Sequence, residues 1–349
     1  MEHIGIDLGA AHSHLVIMND LGAELRRRRV QTDKLPRWLA ARAPSRVVME
    51  ACTQSPVVAA ASMEAGHETF VVPGQIVRAL GVGARGIKTD DRDAEVLARA
   101  LVRNEQLPSV HLRSQRSREL RDLLAARDRL IGARTPLAQH IKSWLRARLV
   151  QLRGRANGPA FTKAVRTRLL ESPDGLPLGL EVLLDSYDQL SEQIARLDSQ
   201  IEELAEQDDT CRRLRTLPGV GIQTSLAFVA QIDDPHRFGT SDELGSYLAL
   251  TPGECTTGGK VKRTGTIKAG PRHLKALLVQ CAWSAWRCRP NDPMVLWARQ
   301  IAERRGKRIA IVALARKIAT ILWRLWNDGS HYDPALASGI VAEQVTNAA

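Results

Sequence analysis

The sequence has too few cysteines, too irregularly spaced, for a framework of covalent or metal crosslinks. Its five (Cys52, Cys211, Cys255, Cys281 and Cys288) are odd in number and include no Cys-x-x-Cys pair. That excludes a disulfide scaffold and a thiolate zinc site, and fits reduced thiols in a cytosol. A long apolar run is also missing: the stretch Ile309–Trp326 is broken by Arg316, Lys317 and Arg324, so no membrane span is expected. The first residues lead into a strand-like segment without a basic-then-apolar leader, so the expectation is a cytoplasmic protein, neither secreted nor membrane-bound. Acids, finally, are absent from two long stretches. Leu130–Leu170 carries nine Lys or Arg and Cys255–Asn291 carries eight, with no Asp or Glu in either. In a chain with net charge +12, runs of one sign point to a polyanionic partner, and nucleic acid before an acidic membrane surface.

What is present begins as an α/β pattern. His3–Asp7 and Leu15–Met18 are β-branched and apolar, each followed by a turn signal, and a third strand is expected near Glu24–Val30. Helical and strand-like segments then alternate: Leu35–Ala41, Arg46–Met49, Pro56–Ala65 and Thr69–Val72. This predicts a mixed sheet whose first strands are antiparallel. The 349 residues suffice for two or three domains.

Four acids stand at chemically suggestive positions. Asp7 closes the first strand and Glu50 follows the strand Arg46–Met49, where open α/β sheets collect their chemistry. The stretch Lys88-Thr89-Asp90-Asp91-Arg92-Asp93-Ala94 opens an apolar-periodic run. Asp90 then falls in the first helical turn and Asp93 three residues on, facing the same way. Like charges this close repel unless a cation, typically Mg²⁺ or Mn²⁺, lies between them. Taken alone, the stretch also reads as an acidic first turn favoured by the helix dipole. Ile4-Gly5-Ile6-Asp7-Leu8-Gly9 resembles the first phosphate loop of actin- and Hsp70-type ATPases too, but the second glycine-rich loop those proteins need has no counterpart here.

From Arg113 the composition turns polar and helix-favouring. Pro136 should kink or break its helix. Leu180, Leu183, Tyr187, Leu190, Ile194, Leu197, Ile201 and Leu204 alternate spacings of three and four, a coiled-coil seam. Its partner is either the Leu120–Leu152 helix of the same chain or another subunit, and the association role is favoured. Leu214–Gly221, with Pro218, Gly219 and Gly221 ahead of an apolar helix Thr224–Ala230, reads as a helix-hairpin-helix element or as a plain helix-loop-helix turn. In the first case Gly219 and Gly221 would present backbone N–H groups to a phosphate. Next comes a loop rich in hydroxyls, glycine and cations, Thr256-Thr257-Gly258-Gly259-Lys260-Val261-Lys262-Arg263, continuing to Lys268, Arg272 and Lys275. It suits close approach to a nucleic-acid backbone. Trp283, Trp286, Trp297, Trp323 and Trp326 are expected in the core, and Gly329 at the end of the last helix.

Taken together, Ile6-Asp7-Leu8-Gly9, Met49-Glu50-Ala51, Lys88-Thr89-Asp90 to Asp93-Ala94, Leu217-Pro218-Gly219-Val220-Gly221 and Pro252 to His273 resemble the transposases of insertion-sequence family 110 and the related Piv-type DNA invertases. The resemblance spans nearly the whole chain. It implies a RuvC-like, RNase H-like α/β domain (1–112) whose Asp7, Glu50, Asp90 and Asp93 bind Mg²⁺ or Mn²⁺. A helical coiled-coil arm (113–210) and a mostly α C-terminal transposase domain with the helix-hairpin-helix (211–349) follow. The activity implied is that of a DEDD-type DNA transposase or recombinase, cleaving and transferring DNA strands of the element that encodes it. The partners implied are DNA and, as in some members, a structured guide RNA; a homo-oligomer, dimer or tetramer, is expected through the coiled coil. In that family the C-terminal loop carries a serine nucleophile in a Ser-Ser-Gly setting. Here Thr256, Thr257 and Gly258 match it, with Thr257 the expected nucleophile and Thr256 the alternative. A Holliday-junction-type nuclease would need the first domain but not the Thr-Thr-Gly-Gly loop. A non-catalytic nucleic-acid-binding remnant of a mobile element would not need the four acids.

Overall fold

The computed structural model describes residues 1–80, 90–103, 107–152, 158–170, 175–257, 260–267 and 269–335. The chain divides into two compact units, Met1–Arg113 and Ser114–Ala349. Among the described residues, no helix is long and apolar enough to cross a membrane, and all five cysteines are free thiols.

In the first unit, β1 (His3–Asp7), β2 (His12–Met18) and β3 (Glu24–Gln31) form an antiparallel meander. The side-chain carbonyl of Asn19 accepts from the backbone N–H groups of Leu21 and Ala23 to close the β2–β3 turn, and Gly22 supplies its positive φ of 77°. Then come α1 (Leu35–Ala40), β4 (Arg46–Glu50), α2 (Ser55–Glu64), β5 (Glu68–Val72), the short α3 (Gly74–Ala79) and α4 (Asp90–Val102). The sheet order is β3-β2-β1-β4-β5, with β1, β4 and β5 mutually parallel. This is the expected mixed sheet; α3 carries no periodic signal long enough to announce it.

Strand alternation gives the sheet two faces. On one, Ile4, Ile6, Leu15, Ile17, Val47 and Met49 form a core with residues of α1 and α2. On the other, Val16, Met18 and Val48 pack under α4 through Ala94, Leu97, Ala98 and Leu101. Gly5 is what lets α4 approach: a Cβ there would lie 2.1 Å from Ala94 O and 2.5 Å from Ala98 N.

The second unit is mostly helical: α5 (Gln115–Ala147), α6 (Pro159–Leu170), α7 (Leu178–Gln207), α8 (Asp209–Leu214), α9 (Ile222–Ile232), α10 (Ser241–Tyr247), the strands β6 (Pro252–Thr257) and β7 (Lys260–Thr266), then α11 (Arg272–Cys288), α12 (Pro293–Arg305) and α13 (Lys307–Asp328). Helix α5 runs through Pro136 without a break, so of the kink or break expected there the break does not occur. Beyond the proline, Ala138, Ile141 and Leu145 are buried against α6 and α7, and that packing outweighs the lost hydrogen bond.

The α7 seam is also corrected. Leu180, Tyr187, Ile194 and Ile201 are buried as predicted, but the alternating set is Leu184, Ser191 and Ala205, one residue along. Leu183, Leu190, Leu197 and Leu204 lie at the margin, partly buried. The covering surface belongs to this same chain: α5 and α6 at one end, Leu120 and Leu124 of α5 at the other. Arg127 of α5 pairs with Asp198 of α7 across the contact. The favoured association role therefore loses the apolar face on which it rested.

The first acid-free run is not a bare cationic surface either. Arg166 pairs with Asp185 and Asp188 of α7, both at 2.7 Å, and Arg134 lies over the Tyr187 ring and reaches Ser191 Oγ. The compensating acids sit on the neighbouring helix, out of view of a reading along the run. The five tryptophans pack against the C-terminal core as expected, with Trp323 Nε1 donating to Pro235 O at 2.8 Å, and Gly329 caps α13 in the left-handed conformation.

Candidate active site

Asp7 ends β1 and Glu50 ends β4. The two strands run parallel with Ile6 opposite Met49, so the carboxylates terminate adjoining strands side by side, both half-buried. By alternation they share the face that α4 covers. Gly74 makes room for one of them, since a Cβ there would lie 2.5 Å from Glu50 Oε1.

Helix α4 runs antiparallel to β1. Its far end meets the start of the strands, where Leu101 O accepts from Arg46 Nη1 at 3.1 Å, and Ala94 and Ala98 lie over Gly5. Its first turn consequently overhangs the end of β1. There Asp93 is 5% exposed, whereas the Asp90 side chain is 66% exposed. The predicted common face is shared only in part. Three residues leave the two side chains about 60° apart around the helix axis, enough for the sheet to bury one and leave the other at the rim.

Two further residues join them. His14 is the β2 residue opposite Asp7. Its Nδ1 donates to Asp91 Oδ1 at 2.6 Å, and its Nε2 lies 3.8 Å from Asp90 Oδ2. Neither His14 nor Asp91 stands out in the sequence. Asp91 lies off the face that the spacing of Asp90 and Asp93 selects, and a histidine inside an alternating strand carries no signal until its register is known.

Among the described residues, no group of three or more His, Cys, Asp or Glu is gathered to hold a metal. The donor set nevertheless fits one. Carboxylate oxygens are the ligands Mg²⁺ and Mn²⁺ prefer, and Asp7, Glu50 and the first turn of α4 come from three elements that meet on one face of the sheet.

In the second unit, Thr256 and Thr257 end β6 opposite Val261 and Lys260 of β7. The expected loop is a two-stranded ribbon, as its threonines and valine favour. For Thr256, Thr257, Lys260, Lys262 and Arg263 the backbone alone is described; Gly258, Gly259 and Lys268 lie outside the described residues, as do Lys88 and Thr89. Lys275 ties down the ribbon base, its Nζ donating to Ala249 O and Thr266 Oγ1 at 2.7 Å and to Ile267 O at 3.3 Å. Burial lowers its pKa. It is a structural tie, not the phosphate contact its place in the basic run suggested. Arg272 opens α11 and is exposed.

The α8–α9 turn separates the two glycines expected to meet phosphate. Gly219 has φ +88°, and a Cβ on it would lie 2.6 Å from Cys281 O of α11, so the close approach of α11 requires glycine there. Gly221 is the N-cap of α9 and faces open space. Both glycines border an open cleft of about 740 Å³ with Gln223, Gln280, Ser284 and Arg287 among its lining residues.

Comparison with known proteins bears on both units. Residues 4–148 match the model of the DEDD transposases of IS110 elements, and residues 211–294 match a model described as the transposase IS116/IS110/IS902 family. The transposase for insertion sequence element IS1111A of Coxiella burnetii is 30% identical over 92% of this chain and 88% of the relative. The chain belongs to this transposase family. A probable family 20 transposase of Pseudomonas aeruginosa is 29% identical, over 96% of this chain and 99% of the relative. The transposase for insertion sequence element IS1328 of Yersinia enterocolitica is 28% identical, over 94% and 97%. Membership makes this IS110-family transposase a DNA-binding enzyme that cleaves and transfers DNA. The first matched region contains Asp7, Glu50, Asp90 and Asp93, and the second contains Thr256, Thr257 and Arg272.

Proposed function

We propose that this transposase cleaves and transfers DNA strands with Asp7, Glu50, Asp90 and Asp93 holding a divalent cation, Mg²⁺ or Mn²⁺. What supports this reading is that Asp7 and Glu50 end the adjoining parallel strands β1 and β4, and that Asp93 is buried in the first turn of α4, the helix that covers that face of the sheet. An RNase H-like assignment of the first unit is supported by the strand order β3-β2-β1-β4-β5, with its antiparallel meander and parallel extension. The bound ion would supply charge neutralisation at the scissile phosphate. The chain's own part is to fix the carboxylates: Asp7 and Glu50 by strand register, Asp93 by burial, and Asp90 beside His14.

The second unit supplies the nucleophile in this reading. The Thr257 hydroxyl attacks the scissile phosphorus, a Thr–O–P bond forms as the bond to a deoxyribose oxygen breaks, and the leaving oxygen takes up a proton. Its support is place: Thr257 is the last residue of β6, paired with Lys260 across the ribbon. Gly221, Lys260, Lys262, Arg263, Lys268 and Arg272 would hold the DNA backbone. The organisation follows as a catalytic domain (1–112), a helical arm (113–210) and a transposase domain (211–349). A structured guide RNA would draw on the cations of the arm. Assembly as a dimer or tetramer has the least support, since the α7 seam is covered within the chain.

The deciding experiment substitutes Asp93→Asn and Asp90→Asn in the full chain. Both variants are expected to lose recombination in a plasmid assay while melting no lower than wild type. Mg²⁺ or Mn²⁺ should raise the melting temperature of the wild type and not of Asp93→Asn. Wild-type recombination by either variant rejects the carboxylate site.

A further inference from the structure

Strand β3 reads Glu24-Leu25-Arg26-Arg27-Arg28-Arg29-Val30-Gln31, and neither the acids nor the basic ribbon accounts for it. It is the edge strand of the sheet, with β2 on one side only, and all four arginines are exposed. They are not equivalent. Arg27 is neutralised by Glu24 and by Glu95 of α4, each at 2.8 Å. Hydrogen bonds from Arg27 hold both carboxyls below the usual carboxylate range. The side chains of Arg26, Arg28 and Arg29 enter no hydrogen bond or ion pair among the described residues, their backbones being paired with β2. Register then connects the strand to the acids: Arg29 lies opposite His14, and His14 lies opposite Asp7. Residues opposite one another share a face, so Arg29, His14 and Asp7 form one row across three strands, ending where β1 meets the first turn of α4.

Charge on an edge strand also blocks edge-to-edge pairing. One or two charges suffice for that, and nothing in it asks for three guanidinium groups in four residues that no acid among the described residues neutralises, the group that grips phosphate with a planar fork. A strand edge with outward backbone N–H groups and splayed arginines offers donors in two directions to a polyanion lying along it.

We propose that β3 is the surface on which the enzyme seats the sugar–phosphate backbone of the DNA that it delivers to Asp7, Glu50 and α4, with Arg29 the contact nearest the site. The location of the site rests on the carboxylate reading above; the contact with the backbone does not. The test is a salt titration of the full chain on a 30-base-pair DNA duplex, followed by fluorescence anisotropy in EDTA, where no cleavage occurs. Each phosphate contact contributes about 0.9 to the slope of log affinity against log salt. The variant R26Q/R28Q/R29Q is expected to lose roughly 2 to 3 from that slope and bind at least about tenfold more weakly near 0.15 M salt. Arg27→Gln is the control: it should lower the melting temperature and leave the slope unchanged. Arg29→Gln alone should remove about one contact and slow cleavage of a supercoiled plasmid more than Arg26→Gln does, provided both variants melt as the wild type.

An unchanged slope in the triple variant overturns the proposal, as does a loss equal to that of Arg27→Gln. So does a loss confined to an RNA duplex, or aggregation with DNA affinity intact, which would leave the arginines as edge protection. If the triple variant loses DNA affinity while Asp93→Asn still cleaves, the carboxylate reading fails and the DNA-binding edge stands.

Discussion

Asp91 holds the imidazole of His14 at 2.6 Å, and His14 is the residue that β2 sets opposite Asp7. The first turn of α4 is thus tied to the sheet by an acid that adjoins Asp90 and stands two residues before Asp93. The tie is half-exposed on the acid side, so its contribution to stability is modest, about 0.5–1 kcal/mol after solvent screening. Its effect on activity should be larger, because it fixes where Asp90 stands. His14→Ala and Asp91→Asn are each expected to lower recombination at least about tenfold with a melting temperature reduced by only a few degrees, on the size of one partly exposed pair. Parallel melts and plasmid recombination check this; wild-type recombination by both variants would show the pair to be incidental.

The two glycines of the α8–α9 turn should separate cleanly. Gly219→Ala places a methyl group 2.6 Å from Cys281 O at a positive φ, where backbone must move. A destabilisation of about 2–4 kcal/mol is expected, with or without DNA. Gly221→Ala meets open space with an extended backbone and should cost less than about 1 kcal/mol. If the N-terminus of α9 binds phosphate, Gly221→Ala weakens DNA binding with the fold intact. Urea unfolding and DNA anisotropy on both variants give the answer; equal destabilisation by the two would contradict the distinction.

What the sequence revealed, and what it hid, follows from the range of the interactions. The strands of the first unit could be read because Ile4 and Ile6 alternate with smaller or polar neighbours, and α4 because its acids precede an apolar period. Asp7 and Glu50 stood out as acids at strand ends. His14 and Asp91 did not, because their meeting spans seventy-seven residues and depends on register. The tie made by Lys275 and the tight packing of Gly219 are hidden for a similar reason: a lysine in a basic run and a glycine in a turn show nothing of their tertiary neighbours, Ala249 and Thr266 for one and Cys281 for the other. The α7 heptads were visible, but periodicity says nothing of which surface covers them.

That seam yields a prediction opposite to the one an association role would give. Ile194 and Ile201 are buried to 4% and 1% exposure within a single chain. Replacing both with Lys strands two charges in the α5–α7 contact, at an expected cost of more than about 4 kcal/mol. The double variant should unfold or lose cooperative melting, rather than disperse into folded monomers. Light scattering with circular dichroism distinguishes the outcomes: a folded protein of lower mass would restore the seam as an interface between subunits.

The last prediction concerns Thr257. It ends β6 and is paired in register with Lys260, the first of three cations in the four residues Lys260–Arg263 of β7. Cations beside an attacking hydroxyl would lower the cost of charge building on the phosphate. Threonine keeps the nucleophilic oxygen of serine but adds a methyl group that restricts χ1 and crowds in-line attack, so its reaction should be slower than that of a serine in the same place. Trapping on a nicked recombination substrate should give a covalent protein–DNA adduct in the wild type. Thr257→Val should abolish it and Thr257→Ser should increase it, each with unchanged melting. Thr256, opposite Val261, provides the internal comparison: an adduct that persists in Thr257→Val and vanishes in Thr256→Val would move the nucleophile one residue back along the strand.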